Sequence, residues 1–143
     1  MAILLSCLLA QAWLAHAIAS PWWVPDLTVV GLMVAVTRTP HRWLPLSLVA
    51  GAATMVWMIR FAAPLLLGYV TFGWVLQVLI THWEISDWRL RSTLAALVSL
   101  LLTLTALWLD ETWSLTLLAL LLARAFLTAL AVPVVQRLVR PAP

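Results

Sequence analysis

Residues 113–135 read WSLTLLALLLARAFLTALAVPVV, twenty-three positions with a single charge, at Arg124. A spanning helix needs roughly 20 apolar residues to cross a hydrocarbon core of about 30 Å. This stretch meets that length, and its arginine makes it informative. A central Arg costs about 2.5–3.5 kcal/mol on insertion scales, and a Leu near the centre returns about 0.3–0.6 kcal/mol. The eight leucines from Leu115 to Leu130 therefore offset it. The helix inserts, and its guanidinium then requires a partner.

The rest of the chain resembles this stretch. Of 143 residues, 65% are apolar and 9% are charged. A soluble domain runs at about 45–50% apolar and about 25% charged. A mean hydropathy of +1.08 agrees with the shortage of charge. Soluble globular, disordered and fibrous classes are excluded, which leaves an integral membrane protein with one domain over residues 1–143. Short polar or proline-bearing breaks divide the apolar runs into six expected spans, at 2–19, 22–37, 43–59, 64–83, 92–109 and 113–135. The expected fold is an all-α membrane protein, a compact bundle of about six transmembrane helices. The second run reaches spanning length only if Trp22 to Asp26 joins it. Otherwise it is a broken segment whose backbone other helices must cover. Ala15-His16-Ala17 and Ala17-Ile18-Ala19 resemble signal-peptide cleavage sites. No Lys or Arg precedes that apolar run, so it reads as a retained helix.

All eight basic residues other than histidine are arginines, and they are unevenly spread. With six spans and a cytoplasmic N-terminus, Arg38, Arg42, Arg89, Arg91, Arg137 and Arg140 fall on the inner side. Arg60 alone falls outside. That asymmetry predicts cytoplasmic termini. Asp26, Asp110 and Glu111 then lie near the outer face. Ten Trp suit the membrane interface, where the ring is apolar and the N–H stays wet.

Few residues point to chemistry. Asp26 follows Pro25 in Pro25-Asp26-Leu27, a natural helix start. Arg124 reads as a structural charge satisfied inside the bundle. Asp26 is its expected ionic partner if the second helix starts at Trp22. His16, His41 and His82 lie too far apart in sequence to suggest a metal site. Cys7 is alone, which rules out an intrachain disulfide or a cysteine metal cluster. Glu84, Asp87, Arg89 and Arg91 read as a solvated, self-paired loop. No nucleophile elbow, P-loop or dinucleotide fingerprint is present. The expectation is no enzyme, no cofactor and no metal, and the scattered arginines give no reason to expect nucleic acid. Small residues recur four apart, at Ala15 and Ala19, Gly31 and Ala35, Ala95 and Ser99, Ala119 and Ala123, and Ala125 and Ala129. Such pairs let helix backbones approach.

Several of these features together resemble the MreD family of bacterial rod-shape-determining membrane proteins. The family's Pro-Asp-Leu opening of the second helix is matched by Pro25-Asp26-Leu27. Its basic loop before a Gly-containing third helix is matched by Arg38, Arg42 and Gly51. Pro64-Leu65 and Gly68-Tyr69 match a Pro-Leu followed by Gly-Tyr at compressed spacing. Pro133, Arg137 and Arg140 match a late Pro before a basic end. Trp57-Met58 stand where the family often has an Asp, and the Asn common in its last helix is missing. The resemblance implies a fold similar to the substrate-binding subunits of energy-coupling-factor transporters. It also implies the bacterial inner membrane and a scaffolding role in the peptidoglycan elongation complex that maintains cell shape. The partners it implies are an MreC-like single-pass protein, a RodA-like glycosyltransferase, a class B penicillin-binding protein and membrane lipids. Asp26, Arg124, Pro25 and Pro133 are the candidate structural or partner-contact residues. The rival expectation is a small-solute-binding membrane subunit of a transporter. Such a protein requires an outward-facing polar pocket, against which stands the presence of only three glutamines, Gln11, Gln77 and Gln136.

Overall fold

The computed structural model describes residues 1–18, 24–57, 62–83, 87–109 and 114–139. The described residues form six α-helices and one short 3-10 turn, with no strand among them. The helices are α1 (Ala2–Ala17), α2 (Leu27–Arg38), α3 (Trp43–Trp57), α4 (Ala62–Trp83), α5 (Trp88–Leu109) and α6 (Leu115–Val139). Three helices are long and apolar enough to cross a membrane, at Ala63–Trp83, Trp88–Trp108 and Leu115–Val139, consistent with a membrane protein.

The shortest helix lies at the centre. α2 has 12 residues, about 18 Å of rise. Every residue from Thr28 to Val36 is buried, and α2 packs against all five other helices. Around it, α1 lies on α2, α3 on α4, and α5 on α6. Close approach uses missing side chains. A Cβ on Gly31 would stand 2.7 Å from the Cβ of Cys7, so α1 and α2 touch nearly backbone to backbone. A Cβ on Gly73 would stand 1.8 Å from Ser47 Oγ, which brings α4 against α3 in the same way.

α2 starts later than the expected residue 22. Val24 to Asp26 are not helical, and Asp26 is the N-cap, accepting from Val29 N–H at 3.2 Å. Trp22 and Trp23 lie outside the described residues. A carboxylate that caps the third helical N–H terminates the helix there. α5 starts earlier than the expected 92, because the Asp87 carboxylate accepts from Arg89 N–H at 3.0 Å and caps the helix at Trp88. Arg89 and Arg91 are therefore helical rather than parts of a loop, and Arg89 lies over the Trp88 ring at 5.7 Å. α6 starts at Leu115 under a Ser114 cap, whose Oγ accepts from Leu117 N–H at 3.2 Å. It runs past the expected end at 135 to Val139, with Pro133 inside it. That proline leaves the Ala129 carbonyl without its usual helical donor. Pro64 stands in the first turn of α4, where a missing N–H costs nothing.

The outside of the bundle is apolar. Leu115, Leu118, Leu122, Phe126, Leu130, Val134 and Leu138 form an exposed row along α6. Leu5, Leu9 and Trp13 do the same on α1. Soluble monomers rarely show contiguous apolar faces of this extent, and lipid covers them without penalty.

Candidate functional site

The N-terminus of a helix leaves four backbone donors without helical acceptors. In α2 that end is buried, so each donor needs a partner inside the protein. Each has one. Asp26 N–H donates to Thr128 Oγ1 of α6 at 2.9 Å, and Leu27 N–H to the Pro25 carbonyl at 2.9 Å. Thr28 N–H donates to Gln11 Oε1 of α1 at 2.8 Å, and Val29 N–H to Asp26 Oδ1. The Thr28 hydroxyl also donates to Gln11 Oε1, at 3.0 Å. The Thr128 hydroxyl itself donates to the Arg124 carbonyl at 2.8 Å. One threonine thus fastens the start of α2 to α6.

The opposite end of α2 is tied to the same helix. Arg38 Nη2 donates to the Val139 carbonyl at 2.6 Å, where a cation suits the negative end of α6. With Asp26 at Thr128 and Arg38 at Val139, α2 and α6 run parallel. The start of α2 then lies level with Arg124, nine residues or about 14 Å along α6.

The structure brings Asp26 and Arg124 together. Arg124 Nη2 stands 3.7 Å from Asp26 Oδ2, with the side chains 12% and 6% exposed. That distance is an ion pair without a hydrogen bond. The sequence expectation placed Asp26 at this depth through a helix beginning at Trp22. The pairing instead arises because the whole of α2 sits low in the bundle. The guanidinium has five donors, and none makes a hydrogen bond to a described residue; Arg124 Nε is fully buried. Hydrogen bonds to charged groups are worth about 1.5–3 kcal/mol each, so this is substantial unused capacity. Asp26, by contrast, already holds the Val29 N–H and the positive end of the α2 dipole.

The pair lines a cavity of about 300 Å³, to which all six helices contribute. Asp26, Thr28, Gln11, Tyr69 and Arg124 are polar members of its lining. Leu8, Ala12, Leu65, Leu102 and Ala106 are apolar members. Thr54 and Thr103 also line it, their protons donated to carbonyls of their own helices. They therefore face the cavity as acceptors. The Gln11 oxygen is engaged by Thr28, which leaves its amide nitrogen as a donor. The arrangement can hold an anionic group and a polar hydroxyl or amide beside an apolar body.

The cavity lies toward the ends of α1, α3 and α5 and the beginnings of α2, α4 and α6. Among the described residues, Arg38, Arg42, Arg89, Arg91 and Arg137 all lie toward the opposite end of the bundle.

The remaining candidates do not join this site. Pro25 contributes only its carbonyl, to Leu27 N–H. Pro133 sits nine residues beyond Arg124 on α6, near its basic end. His16 and His82 are exposed at the ends of α1 and α4, and His41 is exposed in the turn Pro40–Arg42. No group of three metal-ligating side chains occurs among the described residues. Arg60, Glu84, Asp110, Glu111 and Arg140 lie outside the described residues. Sequence reading missed Tyr69, Thr128 and Gln11 as parts of the site. Two signals pointed there: Tyr69 is the chain's only tyrosine, and Thr128 is one helical turn from Arg124. Comparison with family models, curated proteins and solved structures finds no match.

Proposed function

We propose that the chain is a non-enzymatic, six-span protein of the bacterial inner membrane. In this reading it is a scaffold of the peptidoglycan elongation complex, in the manner of the MreD proteins that its sequence resembles. The observation that supports this is the position of Pro25-Asp26-Leu27. The unit that carries the resemblance opens the one helix that packs on all the others. Its proposed partners are an MreC-like single-pass protein, a RodA-like glycosyltransferase and a class B penicillin-binding protein, met through the apolar outer faces. α1 and α2 are short for spans, and α2 is tolerated within a bilayer because its backbone is covered on every side. Both termini lie in the cytoplasm, on the side of the arginines.

The test is affinity purification of the tagged chain from its own host in mild detergent. The expected result is an enriched single-pass protein with a periplasmic domain, and loss of rod shape when the chain is depleted. Normal shape on depletion, with no such partner, would overturn the reading.

A second reading, a small-solute-binding membrane subunit, is favoured by one observation. The polar cavity lies at the end of the bundle away from the arginines, where an outward-facing pocket would be. Retention of a small molecule by the purified protein in native mass spectrometry tests it, and binding lost on filling the cavity would support it.

A further inference from the structure

We propose that the cavity binds an amphipathic carboxylate, with its carboxylate on Arg124 and its apolar body along α1 and α5; this rests on reading the cavity as a binding site and is independent of the scaffold. Three observations carry it. First, the Arg124 guanidinium lines the cavity, and no described residue accepts a hydrogen bond from it. A planar fork of donors matches the two oxygens of a carboxylate. Second, Asp26 does not consume that charge. It stands 3.7 Å away and is already engaged by the Val29 N–H at the start of α2. The pair is neutral in sum, and the end of α2 adds a partial positive charge. A second donor, the Gln11 amide nitrogen, belongs to the same cavity. Third, Leu8, Ala12, Leu102 and Ala106 offer the rest of the ligand an apolar wall.

Size narrows the class. The cavity measures about 300 Å³ and is partly open rather than sealed. It admits a small acid, or the head of a fatty acid whose tail leaves through the opening. A group with a single negative charge suits it better than one with two, because the pair is neutral in sum and the end of α2 adds only about half a positive charge. The acid can arrive from solution or from the bilayer, with the same carboxylate chemistry.

The experiment uses the full chain in phosphatidylcholine nanodiscs, with its ten tryptophans reporting thermal unfolding. Octanoate, octanol and octylammonium are compared, since they share a body and differ in charge. Octanoate is expected to raise the unfolding temperature saturably by several degrees, with at least tenfold weaker effects from the other two. Arg124→Gln is expected to weaken the octanoate response at least tenfold. Ala106→Phe fills the cavity while keeping both Asp26 and Arg124, and is expected to abolish the response whether or not Arg124→Gln folds. Equal stabilisation by octanol, or an octanoate response that survives Ala106→Phe, would overturn the proposal. A response to octylammonium alone would keep the cavity as a binding site and end the carboxylate assignment. Silence to all three would end both. An oleate arm separates the sources: stronger stabilisation by oleate assigns the acid to the membrane, and stronger stabilisation by octanoate assigns it to solution.

Discussion

α2 and α6 have nearly the same apolar composition and opposite surroundings. α2 is buried on all sides from Thr28 to Val36. α6 buries one narrow line, Leu121, Ala125, Thr128 and Val132, and exposes Leu115, Leu118, Leu122, Phe126, Leu130, Val134 and Leu138. Hydropathy does not separate them, because lipid accepts a leucine as readily as a core does. What separates them is placement: α2 packs on all five other helices, whereas α6 packs chiefly on α5 and α2. Among the described residues the buried polar side chains are Asp26, Thr28, Ser47, Ser92, Ser99 and Thr128, nearly all of them serine or threonine.

The comparison breaks most severely at the start of α2. Asp26→Ala removes the cap and leaves the Arg124 charge buried without its partner. Losing one member of a buried pair costs about 3–5 kcal/mol. We expect no stable bundle, read as lost protease resistance in nanodiscs. Replacing both Asp26 and Arg124 with Leu should recover part of that loss. A double-mutant cycle with zero coupling would separate the two residues.

Smaller effects sharpen the contrast. Thr128→Val keeps shape and removes the hydroxyl that accepts from Asp26 N–H. One buried unsatisfied donor costs about 1–3 kcal/mol. A fall of that size in denaturant unfolding is expected, with the helical circular dichroism retained. Gly73→Ala forces a methyl against Ser47 Oγ on α3. Overpacking costs about 1–3 kcal/mol, and the short serine can turn aside, so the lower half of that range is expected. Ser47→Ala should restore most of it. At the other extreme, Phe126→Leu on the outer row of α6 should change stability by less than about 0.5 kcal/mol. A large loss there, in the isolated protein, would mean that the row packs on a second copy.

Legibility followed the same division. α4, α5 and α6 were readable because a run of about 20 apolar residues has one outcome in lipid. The starts of α5 and α6 shifted where a side chain, Asp87 or Ser114, set the cap, and α6 also ran on to Val139. α2 was not readable to the same degree. Its start depends on Gln11, 17 residues before Thr28, and on Thr128, 102 residues after Asp26. Local propensity contains neither. The Asp26–Arg124 contact was legible because few ionisable residues stand in apolar runs, so the possible partners were few. The cavity was not, since six helices supply its wall and no single segment records it.

The hydrogen bonds that hold both ends of α2 span almost the whole chain, from Asp26 to Thr128 and from Arg38 to Val139. During synthesis, α2 emerges about a hundred residues before its acceptors exist. Until then its near neighbours in sequence, α1 with Gln11 on Thr28 and the following α3, pack on it without those end ties. A 12-residue helix with an exposed carboxylate at its head is a poor substrate for stable insertion on its own. The ties at both ends of α2 are therefore completed only when α6 has been made and packed beside it.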